Sequence, residues 1–200
     1  MKEVNNLIEL IYTFYPQNCR YSSNYYKKSI EHNKYIDVLK NSKRRRLLSE
    51  KCYEIIKSVF FENYITKWTN TEYPSIHFSA LLHKNQPILD DDLELLNVLN
   101  GRRIDLEIYI SLLGDYFYTY IVETRKSLLN DDLQFNYYDE KEFLESSQIN
   151  NLNNKLFSIG FTKLDKSIVS INVPNIETEL LYEGEVKIFN ALFSDVNRNF

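Results

Sequence analysis

Glycine and proline are scarce in this sequence, with four of each in 200 residues. Sandwich, barrel and propeller folds turn tightly and often, so this shortage excludes them and favours long helices joined to a few strands. Cysteine occurs twice, at Cys19 and Cys52, 33 positions apart and in no paired spacing. A disulfide framework and a cysteine zinc site are both excluded, and the two are read as reduced thiols of a cytoplasmic protein. No apolar run approaches the ~18 residues of a membrane span, and the first six residues are charged and polar, so no membrane partner or export signal is expected.

Motifs that carry chemistry are missing too. The sequence has no glycine-rich phosphate loop, no nucleophile elbow and no cofactor fingerprint. Of three histidines, His77 and His83 fall six apart on one extended stretch, ~20 Å from each other, too far to share a metal. His32 follows Glu31, which points elsewhere on a helix. The acidic run Asp90, Asp91, Asp92 and Glu94 lacks the alternation, the glycine and the closing glutamate of a calcium loop. No catalytic residue, metal or cofactor is therefore assigned.

What is present suits a single domain over residues 1–200, being 44% hydrophobic and 26% charged. Val4, Leu7, Ile8, Ile11 and Phe14 recur at helical spacing, and Tyr15-Pro16 ends that helix. Ser22 or Ser23 starts a second helix through Tyr26, Ile30 and Leu39. A third carries Leu48, Cys52, Ile56, Val59 and Phe60 and runs on to Trp68. Ile76, Phe78, Ala80 and Leu82 alternate as a strand, and Leu95, Leu96 and Leu99 suit a short helix. The most regular stretch is Arg103 to Leu112, where Ile104, Leu106, Ile108, Ile110 and Leu112 alternate with polar residues and tyrosine.

Gly114-Asp115 reads as a two-residue turn with glycine at positive φ, returning the chain through Tyr116 to Arg125. That turn sets Ile110 opposite Thr119, Ile108 opposite Ile121 and Tyr109 opposite Tyr120. Leu133 to Tyr137 suits an edge strand. Asp139 and Glu142 form a capping box for a helix through Leu152 and Leu156 that Gly160 closes. Ile168 to Val173 reads as a late strand and Glu185 to Val196 as a closing helix. The expected fold is α+β, with N-terminal helices packed on a small, mainly antiparallel sheet around a central hairpin, and a C-terminal helix.

Charge divides along the chain. Residues 1–70 hold 13 Lys and Arg against 7 Asp and Glu, whereas residues 71–200 hold 11 against 21. The second part, at −10, suits a basic partner. Asp90, Asp91, Asp92 and Glu94 form the candidate protein-binding patch, with Tyr109, Tyr118 and Tyr120, on one face of the hairpin, as aromatic anchors. Lys43 to Arg46 offers phosphate contacts, but the negative total charge counts against nucleic acid.

Three stretches, Leu10 to Pro16 (LIYTFYP), Ile104 to Tyr120 (IDLEIYISLLGDYFYTY) and Glu177 to Asp195 (ETELLYEGEVKIFNALFSD), resemble immunity-type proteins encoded beside bacterial polymorphic or contact-dependent toxins. In those a helical N-terminal part precedes a "SLLG-YY" hairpin and an "LF" closing helix. The resemblance implies a cytoplasmic inhibitor that binds and neutralises one cognate toxin, without enzymatic activity of its own. The competing readings are a small enzyme whose site assembles from dispersed residues and a nucleic-acid-binding regulator acting through Lys43 to Arg46.

Overall fold

Side-chain caps set the helix starts of the N-terminal third. The computed structural model describes residues 2–86, 92–126, 132–140 and 147–196. Helix α1 (Lys2–Tyr12) buries Leu7 and Ile11 and stops before Pro16. Helices α2 (Asn24–Lys28), α3 (Ile30–Lys40) and α4 (Ser42–Val59) begin under Ser23, Ser29 and Asn41. The side-chain oxygens of these caps accept from the amides of Tyr26, His32 and Arg44. The single helix expected from Ser22 to Leu39 is thus two, because Ser29 takes an extended ψ of 155° and caps a new start.

Trp68 does not extend the third helix. α4 ends at Val59, and Trp68 lies in strand β1 (Ile65–Trp68), paired with His77 of β2 (Ser75–Leu81). Helix α5 (Asp92–Val98) leads to β3 (Arg102–Ser111) and β4 (Tyr116–Lys126). Strand β5 (Leu133–Tyr138), helix α6 (Ser147–Ser158), strand β6 (Thr162–Lys163) and the short helices α7 (Lys166–Val169) and α8 (Ile188–Leu192) complete the chain. Gly160 closes α6 with φ of 98°, while the Phe161 amide reaches back to the Leu156 carbonyl at 3.2 Å. Glu142 and Phe143, expected in the first turns of that helix, lie outside the described residues.

The strand expected at Ile168 to Val173 is absent. The Asp165 carbonyl accepts from the amides of Ile168 and Val169 at 2.9 and 3.0 Å, so local turn bonds prevail, and Asn172 makes only an isolated bridge to Lys187. The closing helix is also shorter than Glu185 to Val196.

Among the described residues six strands form one mainly antiparallel sheet in the order β1-β2-β3-β4-β5, with β6 parallel to the first residues of β4. The fold is α+β. Its central hairpin has Ile110 opposite Phe117, Ile108 opposite Thr119 and Tyr109 opposite Tyr118. The register differs by two residues from the expected one because four residues, Leu112 to Asp115, connect the strands rather than two. A shift of two keeps every side chain on its face. Gly114 has no positive φ; it is needed for space, since a Cβ there would lie 2.9 Å from Leu10 Cδ2 and from the Tyr116 ring.

Both faces of the sheet are covered over its central strands β2 to β4, while β5 is largely exposed. Leu106, Ile108, Ile110, Phe117 and Ile121 are fully buried with Cys52, Ile56, Leu152 and Leu156 of α4 and α6. Each such side chain contributes about 1.5–3 kcal/mol of transfer free energy. The opposite face carries Tyr109, Tyr118 and Tyr120 against Leu7 and Ile11 of α1 and against Phe189 and Phe193 at α8. Buried carboxylates within these layers are paired, whereas Ser49 Oγ and Asn153 Oδ1 have no hydrogen-bond partner among the described residues. The buried Glu140 carboxylate accepts from Asn153 at 3.1 Å, from Thr119 and from Lys163, and Glu123 is held by Arg102 and Arg125. Among the described residues no helix is long and apolar enough to cross a membrane.

Candidate functional site

The hairpin tyrosines are not surface anchors. Tyr109, Tyr118 and Tyr120 are at most 2% exposed, and their rings meet Phe189 and Phe193 at centroid distances of 5.4 to 6.4 Å for Tyr109 and Tyr118. The aromatic face that a partner was expected to contact is the one that α1 and α8 cover. Of the acidic run, Asp90 and Asp91 lie outside the described residues, Asp92 opens α5, and Glu94 on α5 is exposed. The basic run falls in the first turns of α4. There Arg45 turns inward and donates to the carbonyls of Asn70, Thr71, Tyr73 and Ser75, while Arg46 pairs with Glu50.

Two histidines are tied into the sheet. His83 Nε2 accepts from the Ile104 amide at 3.2 Å, and burial lowers its pKa. His77 stacks on Tyr109 at 4.1 Å and bonds to Glu107, whose other oxygen accepts from Ser79 at 2.7 Å; Trp68 Nε1 in turn donates to Ser79 at 2.9 Å. In a Ser-His-Asp arrangement the imidazole is the serine's proton acceptor. Here the carboxylate stands between the two, so the hydroxyl donates to Glu107 and the group braces strands β1 to β3.

A pocket of about 220 Å³ adjoins this group, and a larger concave feature with convergent polar groups lies elsewhere. A cleft of about 350 Å³ opens between α3, the loop before β2 and the residues around Thr178, and it is lined by Tyr15, Tyr21, Tyr26, Tyr35 and Tyr73 together with His32. Local sequence builds it. In an unbroken helix residues 26 and 32 would point about 120° apart, but the break at Ser29 folds them together, with ring centroids 5.2 Å apart. Asn18, at φ of 56°, donates its amide to the Asn175 carbonyl at 2.8 Å and ties the loop after α1 to the C-terminal part. The Tyr26 hydroxyl donates to the Glu177 carbonyl at 3.0 Å and the Tyr15 hydroxyl to that of Ala191 at 2.8 Å.

Carboxylates edge this cleft. Asp195 accepts from Thr178 and, at 3.0 Å, from the Leu180 amide, while Glu72 and Glu179 sit exposed at the mouth. Burial raises the Asp195 pKa, and the hydrogen bond from Thr178 opposes that rise without cancelling it. Burial also raises Tyr15, Tyr26 and Tyr35, so all three keep their protons at physiological pH, and it lowers His32, which stays neutral there. Sequence reasoning weighed the tyrosines of the hairpin and passed over those of residues 12–35. Their density was the available signal: Tyr12, Tyr15, Tyr21, Tyr25, Tyr26 and Tyr35 fall within that span.

The described end of the acidic run, Glu94 on α5, is remote from the cleft. α5 packs Leu95 and Leu99 on Leu81 at one end of β2, whereas Tyr73 and Pro74 precede its other end, ~20 Å away along the strand. Comparison of the chain with family models, with curated proteins and with solved structures finds no match, so the site is read from its own geometry.

Proposed function

We propose that this chain is an immunity-type protein of the cytoplasm that binds one cognate bacterial toxin and neutralises it by occupancy rather than by turnover. The observation that carries the reading is the tyrosine-lined, carboxylate-edged cleft. Tyrosine combines a large rigid contact area with a polar end and is enriched at protein interfaces. The carboxylates Glu72, Glu179 and Asp195 give that surface the sign that complements a basic protein, as an enzyme attacking nucleic acid would be. The −10 balance of residues 71–200 supports the same partner by steering its approach. The engagement of Arg45 with main-chain carbonyls turns one of the four basic side chains of residues 43–46 away from phosphate, which favours a protein partner over nucleic acid.

The experiment is co-expression with the toxin encoded by the neighbouring gene, comparing the natural chain with a Glu72→Lys, Glu179→Lys double variant. Protection by the natural chain is expected. The variant should associate on the order of 10-fold more slowly at low salt and lose most of its salt dependence. Failure of the natural chain to bind that toxin would defeat the reading. An unchanged association rate in the variant would move the interface away from the cleft.

A further inference from the structure

We propose that the cleft is a cage for an organic cation, and that its occupant is the guanidinium end of an arginine side chain presented by the bound partner. The aromatic walls come first. Tyr15 and Tyr35 meet at 5.2 Å and 53°, and Tyr21 and Tyr26 at 4.9 Å and 62°. Tyr15 and Tyr26 are buried, at 4% and 1% exposure, and back the cleft, so the half-buried rings of Tyr21, Tyr35 and Tyr73 supply the aromatic surface that borders its space. A cation over such faces is attracted by the ring quadrupoles, more strongly as water is excluded. The hydroxyls of Tyr15 and Tyr26 are anchored on main-chain carbonyls, so these rings are held in place before anything binds, which lowers the ordering cost.

The charge of the lining points the same way. Asp195, Glu179 and Glu72 border the space, and no lysine or arginine is among the described residues that line it. Asp195 accepts from Thr178, from the Leu180 amide and from the Glu179 main chain, and a carboxylate with about four acceptor positions retains room for a further donor. A guanidinium matches this better than an ammonium because it is planar, stacks on rings and is more weakly hydrated. At about 350 Å³ the space is at the lower end of the ~300–1,000 Å³ of small-molecule sites, suited to a side-chain terminus. Leu180, 61% exposed, offers an apolar contact at the mouth for the chain that carries it.

For its partner the inference rests on the binding function proposed above; for its chemistry it does not. The probes are N-acetyl-arginine amide, its neutral isostere N-acetyl-citrulline amide, agmatine, and a Gly-Arg-Gly tripeptide blocked at both ends. Binding is followed by calorimetry and by shifts of the tyrosine ring resonances. The arginine probe should bind at least ~10-fold more tightly than the citrulline probe. The exposed-residue variant Glu72→Gln with Glu179→Gln should lose ~3–10-fold of that affinity with an unchanged melting temperature. The tripeptide should bind more tightly than agmatine. Equal affinity for arginine and citrulline, or no shift of the ring resonances, overturns the cage. Tighter agmatine binding overturns the assignment to a protein side chain in favour of a free small cation. Cation binding by a chain that protects against no toxin defeats the neutralisation reading alone, and protection without cation binding defeats this inference alone.

Discussion

At the scale of single residues, burial and pairing decide which groups react and which titrate. Cys52 is fully buried, and burial pushes its thiol up to about 12; Cys19 is half-buried, and burial followed by Glu177 and Glu31 raises it as well. The thiolate is the nucleophile. At pH 8 in native buffer a disulfide reagent should label Cys19 slowly and Cys52 not at all, with both reacting in denaturant; equal native rates would contradict the packing of α4 on the sheet. Glu123 behaves oppositely. Its burial pushes the pKa up, but the hydrogen bonds and charges of Arg125 and Arg102 outweigh that and hold it down at about 2, against an ordinary 4.5. A carboxylate depressed in the folded state stabilises the fold above the unfolded value, and the gain is lost as pH falls from about 4.5 towards 2. The arginines are roughly half exposed, so Glu123→Gln should cost only about 1–2 kcal/mol at pH 7. Urea midpoints across that pH range should fall less steeply for the variant, and parallel curves would refute the assignment.

At the scale of elements, Arg45 links a helix to a loop and the loop to the cleft. Its guanidinium reaches the carbonyls of Ser75 at 2.9 Å and Tyr73 at 2.8 Å, and those of Asn70 and Thr71 at 3.2 and 3.3 Å. A lysine ammonium is a point donor and does not span this set. Arg45→Lys should therefore cost about 1–3 kcal/mol and, by loosening Tyr73, weaken binding of N-acetyl-arginine amide. A variant with the stability and probe affinity of the natural chain would show that the loop holds itself. The same element marks a limit of sequence reading. Residues 43–46 appear as a solvated basic run because a row of cations gives no sign of which one finds carbonyls 25 to 30 positions away. Ser29 was more legible, since a serine three residues before an amide it caps is a local signal; its consequence, the fold-back of His32 onto Tyr26, was not.

At the scale of the whole molecule, one sheet is covered on both faces over its central strands, and its edges are β1 and β5 over most of their length. Opening free energy should follow that layout. Amides of Leu106 to Ile110 and of Phe117 to Ile121 should exchange slowest with deuterium, those of Ile65 to Trp68 and Leu133 to Tyr138 at least ~10-fold faster; similar protection at β1 would place it inside a larger sheet. The sequence by itself determined the α+β class, the hairpin strands and the helix end at Gly160, because alternation, caps and turn residues act over a few neighbouring positions. The first helix, by contrast, stops at Tyr12, short of the expected end at Tyr15-Pro16. Only the tertiary structure decided the register, since a shift of two leaves every face unchanged. It also decided the fate of the two tyrosine sets. Tyr109, Tyr118 and Tyr120 were buried by helices distant in the chain, while the half-buried Tyr21, Tyr35 and Tyr73 were gathered with Asp195 around a cleft backed by the buried Tyr15 and Tyr26, because long-range packing alone sets which polar aromatic faces water and which faces a helix.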